Sequence, residues 1–267
     1  MDFEIKDFYT MPDLLKIIEM LRDKDNGCDW DKIQTHESIR QNFIEETYEA
    51  VDAIDKKDKE LLQEELGDVL LQVLLHAQFE REEGSFDFGD VVNALAAKLV
   101  LRHPHIFKGV KVNGVEDVLD NWEEIKKASH GHTTVSRTLQ AVPKSFPALM
   151  YTQKVQKRVQ AGKLPVPDIK DEADNIRARL DKLESSQPDG EEKKRILQDI
   201  LFSAVNITRQ RGLDSEEILA SRSNDFVKIF DKFEDLALKK GLEFGIINPV
   251  TVKELWAQAE DLAKDEM

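Results

Sequence analysis

Apolar residues recur at helical spacing along almost the whole chain, and runs that alternate apolar with polar are nearly absent. Leu14, Ile17, Ile18 and Leu21 stand at i, i+3, i+4 and i+7, the stripe of an amphipathic helix. The same period predicts helices over about 37–55, with Phe43, Ile44, Tyr48, Val51 and Ile54, and over 59–83, with Leu62, Leu66, Val69, Leu70, Val73 and Leu74. Asp55-Lys56-Lys57-Asp58 holds no apolar residue and reads as a short turn between them. Gly84 stands where a C-terminal cap belongs. A fourth helix over 88–103 is stopped by Pro104, whose ring cannot continue it, and a fifth runs over 115–127. Further helices are expected near 146–161, 171–186, 191–211, 215–240 and 251–264, and only Gly245-Ile246-Ile247 looks like a strand. With 12 Gly and 8 Pro in 267 residues the chain is poor in turn formers, and the predicted fold class is all-α.

The segment 129–145 lacks periodicity and contains Gly131, Thr133, Thr134, Ser136 and Pro143, which marks it as a linker. It divides the chain into domains 1–128 and 146–267, and the charge divides with it. The formal net charge is −15; residues 1–128 hold 30 acids and 16 bases, and residues 129–267 hold 23 and 22. Such a chain, with no long basic block, is not built for nucleic acid or an anionic membrane, both of which demand clustered Lys and Arg. The only cysteine is Cys28, so no intrachain disulfide forms, which fits a reducing compartment. The start lacks a basic, then apolar, leader, and the most apolar stretch, 69–79, is short and broken by Gln72, His76 and Gln78. A cytoplasmic location is the expectation. Glu65-Leu66-Gly67-Asp68-Val69-Leu70-Leu71 and Ile196-Leu197-Gln198-Asp199-Ile200-Leu201-Phe202 hint at an internal repeat, against the plainer reading of two unrelated helical bundles.

Chemistry concentrates in Glu45-Glu46-Thr47-Tyr48-Glu49, followed fifteen residues later by Glu65-Leu66-Gly67-Asp68. Glu46 and Glu49 share a helix face at i, i+3, and Glu65 and Asp68 repeat that spacing on the next helix. A short turn makes the helices neighbours, so four carboxylates can converge in one groove. The donors are hard oxygens without His or Cys in register, so the natural cation is Mg²⁺ or Mn²⁺. The other reading is a solvated acidic face. Against it stand the flanking Ile44, Tyr48, Leu66 and Val69, and Gly67, which costs an α-helix about 1 kcal/mol relative to Ala and suggests close approach of a helix or ligand.

The pattern Glu-Glu-x-x-Glu … Glu-x-x-Asp resembles the MazG nucleoside triphosphate pyrophosphohydrolases. So do Cys28-Asp29-Trp30-Asp31, Gln34-Thr35-His36-Glu37-Ser38, Glu64-Glu65-Leu66-Gly67-Asp68, Phe86-Asp87-Phe88 and Arg102-His103-Pro104-His105-Ile106-Phe107. The resemblance runs through nearly the whole chain and implies two tandem MazG-like helical-bundle domains. It further implies Mg²⁺-dependent hydrolysis of nucleoside triphosphates to the monophosphate and pyrophosphate. Glu46, Glu49, Glu65 and Asp68 would be metal ligands, and Glu45 the base that orients or deprotonates the attacking water. The resemblance also implies a homodimer.

Lys98 and Arg102, at i, i+4, are the basic residues between Arg81 and Lys108 and are assigned to the triphosphate, with Lys126 as a third candidate. Trp122 either stacks on a base or packs the bundle, and Trp30 is equally ambiguous. His103 and His105 read as capping and packing residues, and His76 as a core-edge histidine. Cys28 has no partner that would make it a nucleophile. The competing functions are a non-catalytic nucleotide-binding regulatory module and a purely structural bundle. In the second half Ile196 falls where Glu65 stands, and Arg177 or Arg179 would repel a divalent ion, so that half is expected to be degenerate and catalytically silent.

Overall fold

The computed structural model describes residues 3–115, 117–118, 121–122, 125, 134–185, 189–246 and 248–264. Its elements are helical, with no strand among the described residues. The strand-like 245–247 gives way to a turn at Gly245 and Ile246, and Ile247 lies outside the described residues. The chain forms two compact units, 1–129 and 130–267.

The first unit contains α1 (Met11–Leu21), a 3-10 turn (Asp31–Ile33), α2 (Arg40–Lys56), α3 (Lys59–Glu83), α4 (Phe88–Arg102) and α5 (Pro104–Phe107). Of the fifth predicted helix, Val115, Asp117, Val118, Asn121, Trp122 and Ile125 are helical. Local chemistry explains the boundaries. Lys57 takes the left-handed conformation at φ 56° and ends α2. The Asp58 carboxylate then accepts from the Glu60 and Leu61 N–H groups, both at 3.1 Å, and starts α3. Gly84, at φ 75°, closes α3 where a side chain would be strained. Asp87 and Asp90 cap α4 reciprocally. α2 begins at Arg40, later than predicted, because Thr35 and Ser38 spend their hydroxyls on local contacts with Gln34 and Glu37.

Ile18, Ile39, Leu74, Leu75 and Phe79 form the core of this unit. Arg22 is buried against it, gripping the Glu82 carboxylate with two 2.7 Å hydrogen bonds while its guanidinium lies 4.1 Å from the Phe79 ring centroid. The stripe expected to be the inner face of α2 is not inner. Ala50 and Ala53 are buried, whereas Ile44, Tyr48, Val51 and Ile54 are exposed. α4 buries no residue at all, and Val92, Leu95 and Leu99 stand open to solvent.

His76 on α3 is more than a core-edge residue. Its Nδ1 lies 2.7 Å from Nδ1 of His36, whose Nε2 lies 3.0 Å from the Glu80 carboxylate. Phe79 meets both rings edge-on. The Nε2 contact with Glu80 lacks hydrogen-bond geometry, whereas the two Nδ1 atoms are close enough for one hydrogen between them. A second proton would set two N–H groups face to face. Burial, and then the nearby His36, hold His76 below the usual histidine range. A histidine depressed in the fold takes up its proton more readily in the unfolded chain, so its contribution to stability is lost as pH falls below about 6.5. The difference in melting temperature between the native protein and His76→Phe should therefore shrink from pH 7.5 to pH 5. Carboxylates titrate in both proteins and cancel. A pH-independent difference would exclude the paired-histidine account.

The second unit contains α6 (Val135–Gln140), α7 (Ala148–Ala161), α8 (Ile169–Ser185), α9 (Gly190–Gln210), α10 (Ser215–Lys239) and α11 (Pro249–Ala263). The expected linker is not featureless: Thr134 caps α6, which packs on α7 and so belongs to this unit. α8 packs on α9 as α2 does on α3, and α10 on α11. The core comprises Ile229, Phe233, Ala237, Leu255, Ala259 and Ala263, with Trp256 packed against it. Glu172 is buried where Asn206 donates to it at 2.7 Å.

Candidate metal and nucleotide site

The short α2–α3 connection turns the chain back on itself and lays the two acidic segments side by side. Oxygens of Glu46, Glu49 and Glu65 all lie within 4.8 Å of one another. Glu65 is buried, Glu46 half-buried and Glu49 exposed. Burial raises the Glu46 carboxyl above its ordinary range, and the charges of Asp68, Glu49 and Glu65 raise it further. Burial likewise raises Glu65, with Glu49, Asp68 and Glu64 adding repulsion. Every neighbour acting on these two groups is acidic. Hard oxygen donors held together against their own repulsion suit a divalent cation.

Asp68 is half-buried and acts on both groups, but stands outside the tight triplet. Glu45 is exposed and also outside it. Gly67 departs from expectation. A Cβ added there meets no atom within 4 Å, so no described helix makes a close approach. Gly67→Ala should then stabilise α3 by about 1 kcal/mol in a melt of the isolated chain. If hydrolysis falls while the melting temperature rises, the space belongs to something outside the chain, and if neither changes the glycine has no function.

At the far end of α4, Lys98 is exposed and Arg102 half-buried. The guanidinium carbon of Arg102 lies 5.1 Å from the Trp122 ring centroid, and the His103 ring meets the indole at 5.0 Å and 73°. Arg102 Nε and His105 Nδ1 are buried without a hydrogen-bond partner. Trp122 thus packs and is half-buried, while Trp30 is exposed. Lys126 lies outside the described residues, as do His130 and His132. Cys28 is free and exposed.

In the second unit a different arrangement fills the matching place. Arg179 on α8 reaches Asp199 on α9 through Nε at 2.9 Å and Nη2 at 2.8 Å. Arg177 pairs with Asp174 at 2.6 Å, and Ile196 is buried. Among the described residues of this unit no acidic triplet occurs.

Two groups escaped the sequence reading, the His36–His76–Glu80 chain and the Arg22–Glu82 pair. Their members lie 40 and 60 residues apart, and only the type of residue, His or Arg amid apolar neighbours, could have signalled them.

Residues 34–107, which span both acidic segments and the end of α4, match the MazG nucleotide pyrophosphohydrolase domain. The chain is 36% identical over 251 residues to the nucleoside triphosphate pyrophosphohydrolase of Escherichia coli (strain K12), covering 92% of this chain and 95% of that protein. It is 36% identical over 248 residues to the nucleoside triphosphate pyrophosphohydrolase/pyrophosphatase MazG of Thermotoga maritima, covering 93% and 94%. It is 41% identical over 239 residues to the uncharacterized protein YabN of Bacillus subtilis (strain 168), where it spans 88% of its own length and about half, 49%, of that relative. A full-length match at this identity, with the acidic hairpin inside the matched domain, shows that the chain belongs to the MazG family of nucleotide pyrophosphohydrolases.

Proposed function

We propose that this protein hydrolyses nucleoside triphosphates to the monophosphate and pyrophosphate at the carboxylate cluster of its first unit, with Mg²⁺, or Mn²⁺ in its place, as the cofactor. The reading rests above all on the Glu46–Glu49–Glu65 triplet, whose members crowd together and repel one another. Those three and Asp68 would hold the ions, which when bound supply Lewis acidity and neutralise the leaving pyrophosphate. Hydrolysis breaks the bond between the α-phosphorus and the bridging oxygen, and the attacking water gives up a proton. Glu45, exposed beside Glu46, is the proposed acceptor or orienting group. Lys98 and Arg102 on α4, and Lys126, would face the outer phosphates. Trp122 would border the nucleotide.

The test is pyrophosphate release from the canonical and several damaged triphosphates, with and without Mg²⁺. Metal-dependent release of pyrophosphate together with the monophosphate is expected. Nucleotide binding with no release would replace the enzyme by a regulatory binding module.

The second unit is proposed to be a degenerate copy without activity. Arg179 places a positive charge on Asp199, and Ile196 offers no oxygen. The exposed apolar faces of α2 and α4 support a homodimer, since monomers seldom leave so much apolar surface open. A single unpaired cysteine fits a cytoplasmic setting. The acidic balance argues against a nucleic-acid partner, and no described helix is long and apolar enough to cross a membrane.

A further inference from the structure

α4 ends in a way that gives His103 two tasks. Pro104 halts the helix and leaves its last carbonyls without intrahelical donors. The Leu99 carbonyl accepts from the His103 backbone N–H at 3.1 Å and also lies 2.7 Å from its ring Nδ1. A carbonyl only accepts, so Nδ1 carries the hydrogen, and the bond fixes the ring's direction. Held this way, the ring stands 5.0 Å from the Trp122 indole at 73°, the edge-to-face geometry that aromatic pairs prefer. The neighbouring Arg102 guanidinium rests on the same indole at 5.1 Å. The Arg102 Nε hydrogen is buried with no acceptor among the described residues, which fits an anionic ligand at this helix end.

We infer that His103 is a positioning residue: anchored to the Leu99 carbonyl, it holds Trp122 against the end of α4 and so sets the wall, Trp122 with Arg102, that borders the nucleotide. The inference rests on the nucleotide reading above. It assigns His103 no contact with substrate, so removing it should loosen binding and spare the chemistry at the carboxylates.

Three variants and one optical readout test this. His103→Ala should raise KM for the best-hydrolysed canonical triphosphate about three- to tenfold, with kcat changed less than about twofold, because an edge-to-face contact is lost rather than a reacting group. His103→Phe keeps the ring but loses the donor to the Leu99 carbonyl, so it should recover only part of that loss. Trp122→Phe should raise KM in the same sense. The emission assigned to Trp122, taken as the difference from Trp122→Phe so that Trp30 and Trp256 cancel, should shift to longer wavelength in His103→Ala, because the indole loses the ring packed on it and meets water.

An unchanged KM in His103→Ala, alongside a raised one in Trp122→Phe, overturns the inference and leaves the nucleotide reading standing. An unchanged KM in Trp122→Phe overturns the nucleotide wall and the inference with it. Should His103→Ala fail to fold, His103→Gln, which removes the ring, tests the contact by the same shift in emission and rise in KM. Trp122 emission that stays at the native wavelength in the folded variant overturns it.

Discussion

Glu49→Ala and Asp68→Ala should each lower triphosphate hydrolysis by at least about a hundredfold while leaving the helical circular dichroism unchanged. Perturbing the groups around a catalytic metal already costs ten- to hundredfold, and these residues are proposed as ligands themselves. The fold should not suffer. Glu49 and Asp68 both push the Glu46 and Glu65 carboxyls upward, so removing either relieves repulsion in the chain without metal. Melting temperatures measured in chelator should accordingly stay level or rise, whereas the increase produced by Mg²⁺ should shrink. Wild-type turnover at saturating Mg²⁺ in either variant would remove that residue from the ligand set. Because the assay uses the whole chain, it also weighs the second unit: Mg²⁺-dependent activity surviving when Glu46, Glu49, Glu65 and Asp68 are all changed to Ala would reveal a working site beyond the first unit.

Placing charge on the bare helix should split the molecule. In Val92→Glu/Leu95→Glu the particle mass in sedimentation should fall from that of two chains to that of one. Both residues are about half exposed on a helix that buries nothing within its own chain. If a second copy covers them, each contributes about half of the 1.5–3 kcal/mol of full burial, because each is already about half covered, and a twofold interface counts every loss twice. Dissociation constants should rise by at least about a hundredfold. A native protein that sediments as one chain at high concentration, or a variant that stays paired, would exclude this face as the interface. Melting of the variant separates the outcomes, since residues already exposed in the single chain cost it little when changed.

Helical period was enough to place α3, because Asp58 and Gly84 are local signals that act through their own backbone neighbourhood. It was not enough to orient α2. Period reports which residues share a face, and Ile44, Tyr48, Val51 and Ile54 do share one, but it does not say whether the chain itself covers that face. Here Ala50 and Ala53 pack inward while the larger residues look out. The acidic site was readable for a related reason: i, i+3 spacing on two adjoining helices needs only a short turn to bring its members together. Asp68 and Glu45 show the limit, since spacing cannot resolve which carboxylates close to within 4.8 Å. The His36–His76 pair and the contact between Trp122 and the end of α4 depend on packing between distant segments, and no local pattern records them.

If the acidic hairpin of the first unit takes up a metal as proposed, the Arg179–Asp199 pair meets with a covalently attached charge what that hairpin must load from solution. A guanidinium tethered to the chain cannot be chelated, outcompeted by calcium or depleted when free magnesium falls. It arrives with the polypeptide at fixed stoichiometry as soon as the ribosome has made both helices. Asp199 is thereby compensated within the fold whatever the supply of ions, and buried Ile196 adds no charge beside it.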